Sequence, residues 1–137
     1  MKLEEASILY VEDEPFLRES MGAWFKQRTG RAFCAEHGAE ALEILAANKI
    51  DLVVSDVRMP VMDGITLVKK INQASTPRPH VILITGFSDV SLRQARDLGI
   101  DALLEKPIDR EELLDVLQRS LIAPSSGFCS RAESPKP

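Results

Sequence analysis

A chain of 137 residues, 45% hydrophobic and 28% charged, has the size and composition of one globular domain with a full core. Its net charge of -4 argues against broad nucleic-acid binding, which needs a basic face. No apolar run approaches the roughly 18 residues of a bilayer span, the N-terminus lacks a signal-peptide pattern, and two cysteines do not make a disulfide framework. A reduced, cytoplasmic protein without membrane contact is the expectation. Ile8 to Val11 is the first apolar run and delivers Glu12, Asp13 and Glu14, with Pro15 suited to a helix's first turn. Leu17, Met21, Trp24 and Phe25 then recur at helical spacing, so Trp24 belongs to the core. After Gly30 a weaker strand runs from Arg31 to Ala35. His37 and Gly38 form a turn with a solvated histidine, and Ala39, Leu42, Leu45 and Ala46 mark a second helix.

Leu52 to Val54 lead directly into Ser55 and Asp56, with Pro60 four positions on. Such a short apolar run reads as a strand buried on both faces, as in a parallel sheet. Asp63 is placed to cap a helix bearing Leu67, Val68 and Ile71. Val81 to Ile84 form a fourth strand ending in Thr85 and Gly86. The helix after it, about Ser88 to Leu98, is poorly amphipathic, which marks it as an element of low local stability. Ala102 to Leu104 lead into Glu105, Lys106 and Pro107. A last helix from Asp109 carries Leu113, Val116, Leu117 and Leu121. Residues 1–122 thus make one domain, and 123–137, rich in Pro, Ser and charge, read as a disordered tail or linker. Five strands alternating with five helices predict an α/β, doubly wound parallel sheet in the order 2-1-3-4-5.

In such sheets, ligands bind outside the carboxyl ends of the strands. Strand 1 supplies Glu12 and Asp13 there, strand 3 Asp56, strand 4 Thr85 and strand 5 Lys106. Asp56 alone could simply begin a turn, and Lys106 could pair with it for stability only. Agreement among four strand ends favours a site. Clustered carboxylates raise one another's pKa unless neutralised. A hard divalent cation such as Mg²⁺ relieves this with oxygen ligands, and Lys106 offers a point charge for a phosphoryl group.

Val11-Glu12-Asp13-Glu14, Ser55-Asp56-Val57-Arg58-Met59-Pro60-Val61-Met62-Asp63-Gly64, Thr85-Gly86 and Lys106-Pro107 together resemble a response regulator receiver domain. The resemblance covers roughly residues 6 to 122. It implies that Asp56 accepts a phosphoryl group from a histidine kinase or phosphotransfer protein. It also implies that Asp13, Asp56 and the backbone carbonyl of Arg58 hold Mg²⁺, with Glu12 acting through water. Thr85 would be the switch hydroxyl, and Lys106 would contact phosphate and precede a cis Pro107. Such a domain catalyses only its own phosphorylation and dephosphorylation, and serves an output domain, a partner or a homodimer. Glu12 stands where the family often has Asp, and Leu103 where it usually has Tyr or Phe, so the familiar aromatic flip lacks its ring. Bulky Arg58 and Phe87 flank the acceptor and predict slow loss of the phosphoryl group.

Two other functions use related residues. A haloacid-dehalogenase-like phosphatase needs an acid two residues after its nucleophile, and Arg58 stands there. A protein-binding pseudo-receiver would not need the full set of acids, hydroxyl and lysine.

Overall fold

Leu52–Asp56 is buried at every position, as is Val81 to Thr85 within His80–Thr85, and strands without a polar face belong in the middle of a covered sheet. The computed structural model, which describes residues 1–74, 77–86, 90–122 and 129–130, has them there. Strands β1 (Ser7–Val11), β2 (Arg31–Ala35), β3 (Leu52–Asp56), β4 (His80–Thr85) and β5 (Ala102–Glu105) pair in parallel in the order β2-β1-β3-β4-β5. Tyr10 is in register with Val54, Val54 with Ile82 and Ile84 with Leu104. The predicted topology is therefore the observed one.

The strand alternation divides the core in two. Ile8, Tyr10, Leu52, Val54, Ile82, Ile84 and Leu104 pack with α1 (Pro15–Arg28) and α5 (Arg110–Ile122). Leu9, Val11, Val53, Val81, Leu83 and Leu103 pack with α2 (Gly38–Ala47), α3 (Gly64–Gln73) and α4 (Leu92–Asp97).

Helix starts follow local chemistry. Glu14 accepts from the amides of Phe16 and Leu17 ahead of Pro15 at α1, and Asp63 accepts from Thr66 N at 2.8 Å, as predicted. Asp109 accepts from Glu111 N at 2.9 Å and sets the start of α5. Trp24 is core, with its ring centroid 5.2 Å from that of Phe25. His37 is half-buried rather than solvated, and its Nδ1 accepts from Glu40 N at 3.2 Å.

Two expectations change. Helix α4 begins at Leu92, because Ser91 caps it by accepting from Gln94 N at 3.0 Å; Val90 is not helical, and 88–89 lie outside the described residues. Only Ala95 of α4 is buried, in keeping with its weak pattern. Within the expected tail, Cys129–Ser130 adds a two-residue strand, β6, parallel to β5. A bare edge strand offers unpaired backbone groups that such a segment can take up.

Candidate functional site

Parallel strands bring all their carboxyl ends to one edge, and the backbone ladder runs on past the last strand residues to lock the side chains there. Glu12 N donates to Ala35 O at 3.0 Å, Val57 N to Ile84 O at 3.0 Å, and Lys106 N to Thr85 O at 2.9 Å. The loop after β3 folds back tightly. Gly64 N donates to Val57 O at 2.8 Å, and a Cβ at Gly64 would lie 2.5 Å from the Asp56 carbonyl oxygen. Only glycine lets α3 start that close to the strand end. Within the loop, Met62 N donates to Pro60 O at 2.7 Å around Val61, whose φ is +69°. This is a tight γ-turn, a strained conformation for a β-branched residue.

Glu12, Asp13 and Asp56 each offer a carboxylate oxygen, all within 4.8 Å of one another. Glu12 and Asp56 are 3% and 4% exposed, whereas Asp13 faces solvent. Lys106 Nζ lies 2.8 Å from Asp56 Oδ2. Burial pushes the Glu12 carboxyl up to about 7; the Glu14 amide on its Oε2 and the Lys106 charge oppose this, and Asp56 adds to it. For Lys106, partial burial favours the neutral amine. The Asp56 hydrogen bond and the charges of Asp56, Glu12 and Asp13 outweigh it and hold the ammonium above its usual value. Three carboxylates gathered around the Lys106 ammonium favour added positive charge. Hard oxygen donors in this arrangement fit a hard divalent cation.

Thr85 is buried at the end of β4, and its hydroxyl donates to Gly86 O at 2.9 Å. Arg58 is exposed two residues after Asp56. The structure thus brings Glu12, Asp13, Asp56 and Lys106 together, with Thr85 on the adjoining strand end. Phe87 lies outside the described residues. The Lys106–Pro107 peptide is cis. Leu103 is buried in the core cluster that also holds Ala95 and Leu98, so an aliphatic chain fills the place of the usual ring.

Arg18 escaped the sequence reading. Its guanidinium donates to the carbonyls of Glu12 at 2.9 Å and Asp13 at 3.4 Å and steadies the acidic loop. Its only sequence signal is a position in the first turns of α1, which does not show the side it faces.

The model of the response regulator receiver domain matches residues 8–118. The chain belongs to that family. The transcriptional regulatory protein GlrR of Escherichia coli K12 is 33% identical over 121 residues, covering 88% of this chain and 27% of that protein. This receiver therefore spans about a quarter of the length of the first curated relatives it matches. Among solved structures, the signal receiver domain of an HD domain-containing protein from Pseudomonas fluorescens Pf-5 is 31% identical, with a TM-score of 0.77 over 86% of this chain and 95% of that one. The receiver domain of a Saccharomyces cerevisiae response regulator, crystallised with a histidine phosphotransfer signaling protein, shares the fold at 21% identity, with a TM-score of 0.75 over 88% and 90% of the two chains. Membership identifies a receiver domain of two-component signalling and sets the dehalogenase-like reading aside. Among the described residues, no helix is long and apolar enough to cross a membrane.

Proposed function

We propose that Asp56 is the phospho-acceptor of this receiver, and that a histidine kinase or a histidine phosphotransfer protein is the donor. One Asp56 carboxylate oxygen attacks the phosphorus of the donor's phosphohistidine in line. The P–N bond breaks, the imidazole leaves with its electron pair, and an acyl phosphate remains on Asp56. Positioning and charge neutralisation carry such a transfer. Glu12, Asp13, Asp56 and the carbonyl of Arg58 would hold Mg²⁺, which supplies countercharge to the phosphoryl oxygens when bound. Lys106 keeps its ammonium at the acceptor throughout. The observation that carries this reading is the trio of carboxylates within 4.8 Å, one of them 2.8 Å from Lys106.

The hydroxyl of Thr85, which donates to Gly86 O, stands at the end of the strand paired with that of Asp56 and would turn toward a phosphoryl group there. Its movement would bias the thinly buried α4 between two arrangements, with Leu103 repacking beneath it. The altered α4 side would be read by a partner or by an output domain on a longer chain. Residues 123–137 would act as the linker.

Acetyl phosphate with Mg²⁺ tests the assignment by intact mass. The protein should gain one alkali-labile phosphate, and Asp56→Asn should gain none. Asp13→Ala should weaken Mg²⁺ binding at least tenfold by calorimetry. Full phosphorylation of Asp56→Asn would move the acceptor elsewhere.

A further inference from the structure

Tyr10 is 1% exposed and packs on Phe25 at a centroid distance of 5.1 Å. Among the described residues, its hydroxyl is the buried side-chain polar atom that lacks a hydrogen-bond partner. Buried hydroxyls are almost always satisfied, so an orphan asks for an acceptor that arrives in another state. A phenylalanine would fill the same space without that cost.

The acceptor is two residues along the chain. Glu12 N continues the ladder of β1 onto Ala35 O, so residues 10 and 12 project from the same face. Two residues of strand span about 6.7 Å, and strand side chains lean along the strand direction. A tyrosine ring leaning that way carries its hydroxyl to the level of the next side chain on its face. Burial, then the charges of Glu12 and Asp56, push the phenol well above its usual value, and a weak interaction with the Glu12 carboxylate adds to this, which sets the hydroxyl near that carboxylate without a formed hydrogen bond. The Glu12 carboxylate meets the Glu14 amide through Oε2 at 3.1 Å, which leaves lone pairs for a second donor.

We infer that Tyr10 is a positioning residue for the acidic site: when a divalent cation draws the carboxylates together, its hydroxyl donates to Glu12 and holds that carboxylate in its working orientation. The inference rests on the acid cluster being the cation site proposed above. Tyr10 touches neither cation nor phosphoryl group and acts through Glu12 alone. The hydroxyl is thus a donor whose hydrogen bond to Glu12 tightens with cation binding.

Two measurements on the full chain separate this role from plain packing. Tyr10→Phe should bind Mg²⁺ five- to tenfold more weakly by calorimetry, while its melting temperature in EDTA stays equal to the wild type or rises. In a Glu12→Ala background, which removes the acceptor, the same change should alter Mg²⁺ affinity less than twofold. Three results would overturn the inference: unchanged Mg²⁺ affinity in Tyr10→Phe, weaker binding accompanied by a lower melting temperature in EDTA, or an undiminished effect beside Glu12→Ala. A wild-type protein that binds no Mg²⁺ would overturn the cation site itself and Tyr10's role with it. Wild-type binding matched by Tyr10→Phe would remove only the role of Tyr10.

Discussion

The two edges of this sheet hold the same residue types to opposite ends. At the amino edge, Asp51 Oδ2 accepts from Ser7 N at 2.9 Å, and Asp101 Oδ2 accepts from Val81 N at 2.7 Å. Each of these aspartates precedes a strand and ties its start to a neighbouring strand. Asp101 is 3% exposed and also has His80 Nδ1 at 3.3 Å. At the carboxyl edge, Glu12 and Asp56 are as deeply buried, yet they face each other and Asp13 with Lys106 as the ammonium among them. A buried carboxylate matched to its own backbone donors is a fastening. Carboxylates gathered against their mutual repulsion fit a ligand that would supply positive charge, as proposed above. Burial alone does not distinguish the two; the partners do.

Removing a fastening should produce the largest loss of stability. Asp101→Ala orphans the buried Val81 amide and should cost about 2 to 3 kcal/mol in urea unfolding, while phosphorylation of the folded fraction persists. If Asp101→Ala instead abolished phosphorylation of folded protein, the division between the two edges would fail.

The second prediction concerns pH and tests the opposite edge. Unfolded, Glu12 titrates near 4.5, and in the fold burial raises it to about 7. Between those values the folded protein holds a proton that the unfolded chain has lost. Its stability therefore falls as pH rises through this window. In EDTA, the wild type should lose about 2 kcal/mol more than Glu12→Gln from pH 4.5 to 7. Denaturant melts at four pH values check the slope, and identical slopes would mean that Glu12 carries no strain. Asp101 is also raised, by burial, against the Val81 amide and His80, so the difference between the two proteins isolates Glu12.

Asp51 gives the smallest effect. Its site is only half-buried, so water can replace the lost acceptor, and Asp51→Ala should cost about 1 kcal/mol. A loss as large as that of Asp101→Ala would show that the tie to Ser7, rather than burial, sets the scale.

Much of this protein was legible in its residues. Apolar runs of three or four residues, each closed by a polar group, marked the strands, and the 3.6-residue spacing of Met21, Trp24 and Phe25 marked α1. Those are local signals, and the parallel order followed because alternating strands and helices allow few topologies. The residues of the candidate site could be named for the same reason, since each stands at a strand end that its own apolar run defines. Asp63 and Asp109 announced their helices because a cap acts within three residues.

What the sequence could not determine depends on groups far apart in the chain. Lys106 meets Asp56 across 50 residues, and Val81 N meets Asp101 across 20. Asp51 before β3 and Asp56 at its end differ in partners that lie far away in the chain, Ser7 N for one and Lys106 Nζ for the other. The start of α4 at Leu92 and the pairing of Cys129–Ser130 with β5 likewise follow from tertiary placement. Tyr10 is the sharpest case. Its sequence position says only that it faces the core. That its hydroxyl lies buried and unpartnered beside the acidic edge is decided by α1 closing over it, because an aromatic ring is placed by all the surfaces that enclose it and not by its own strand.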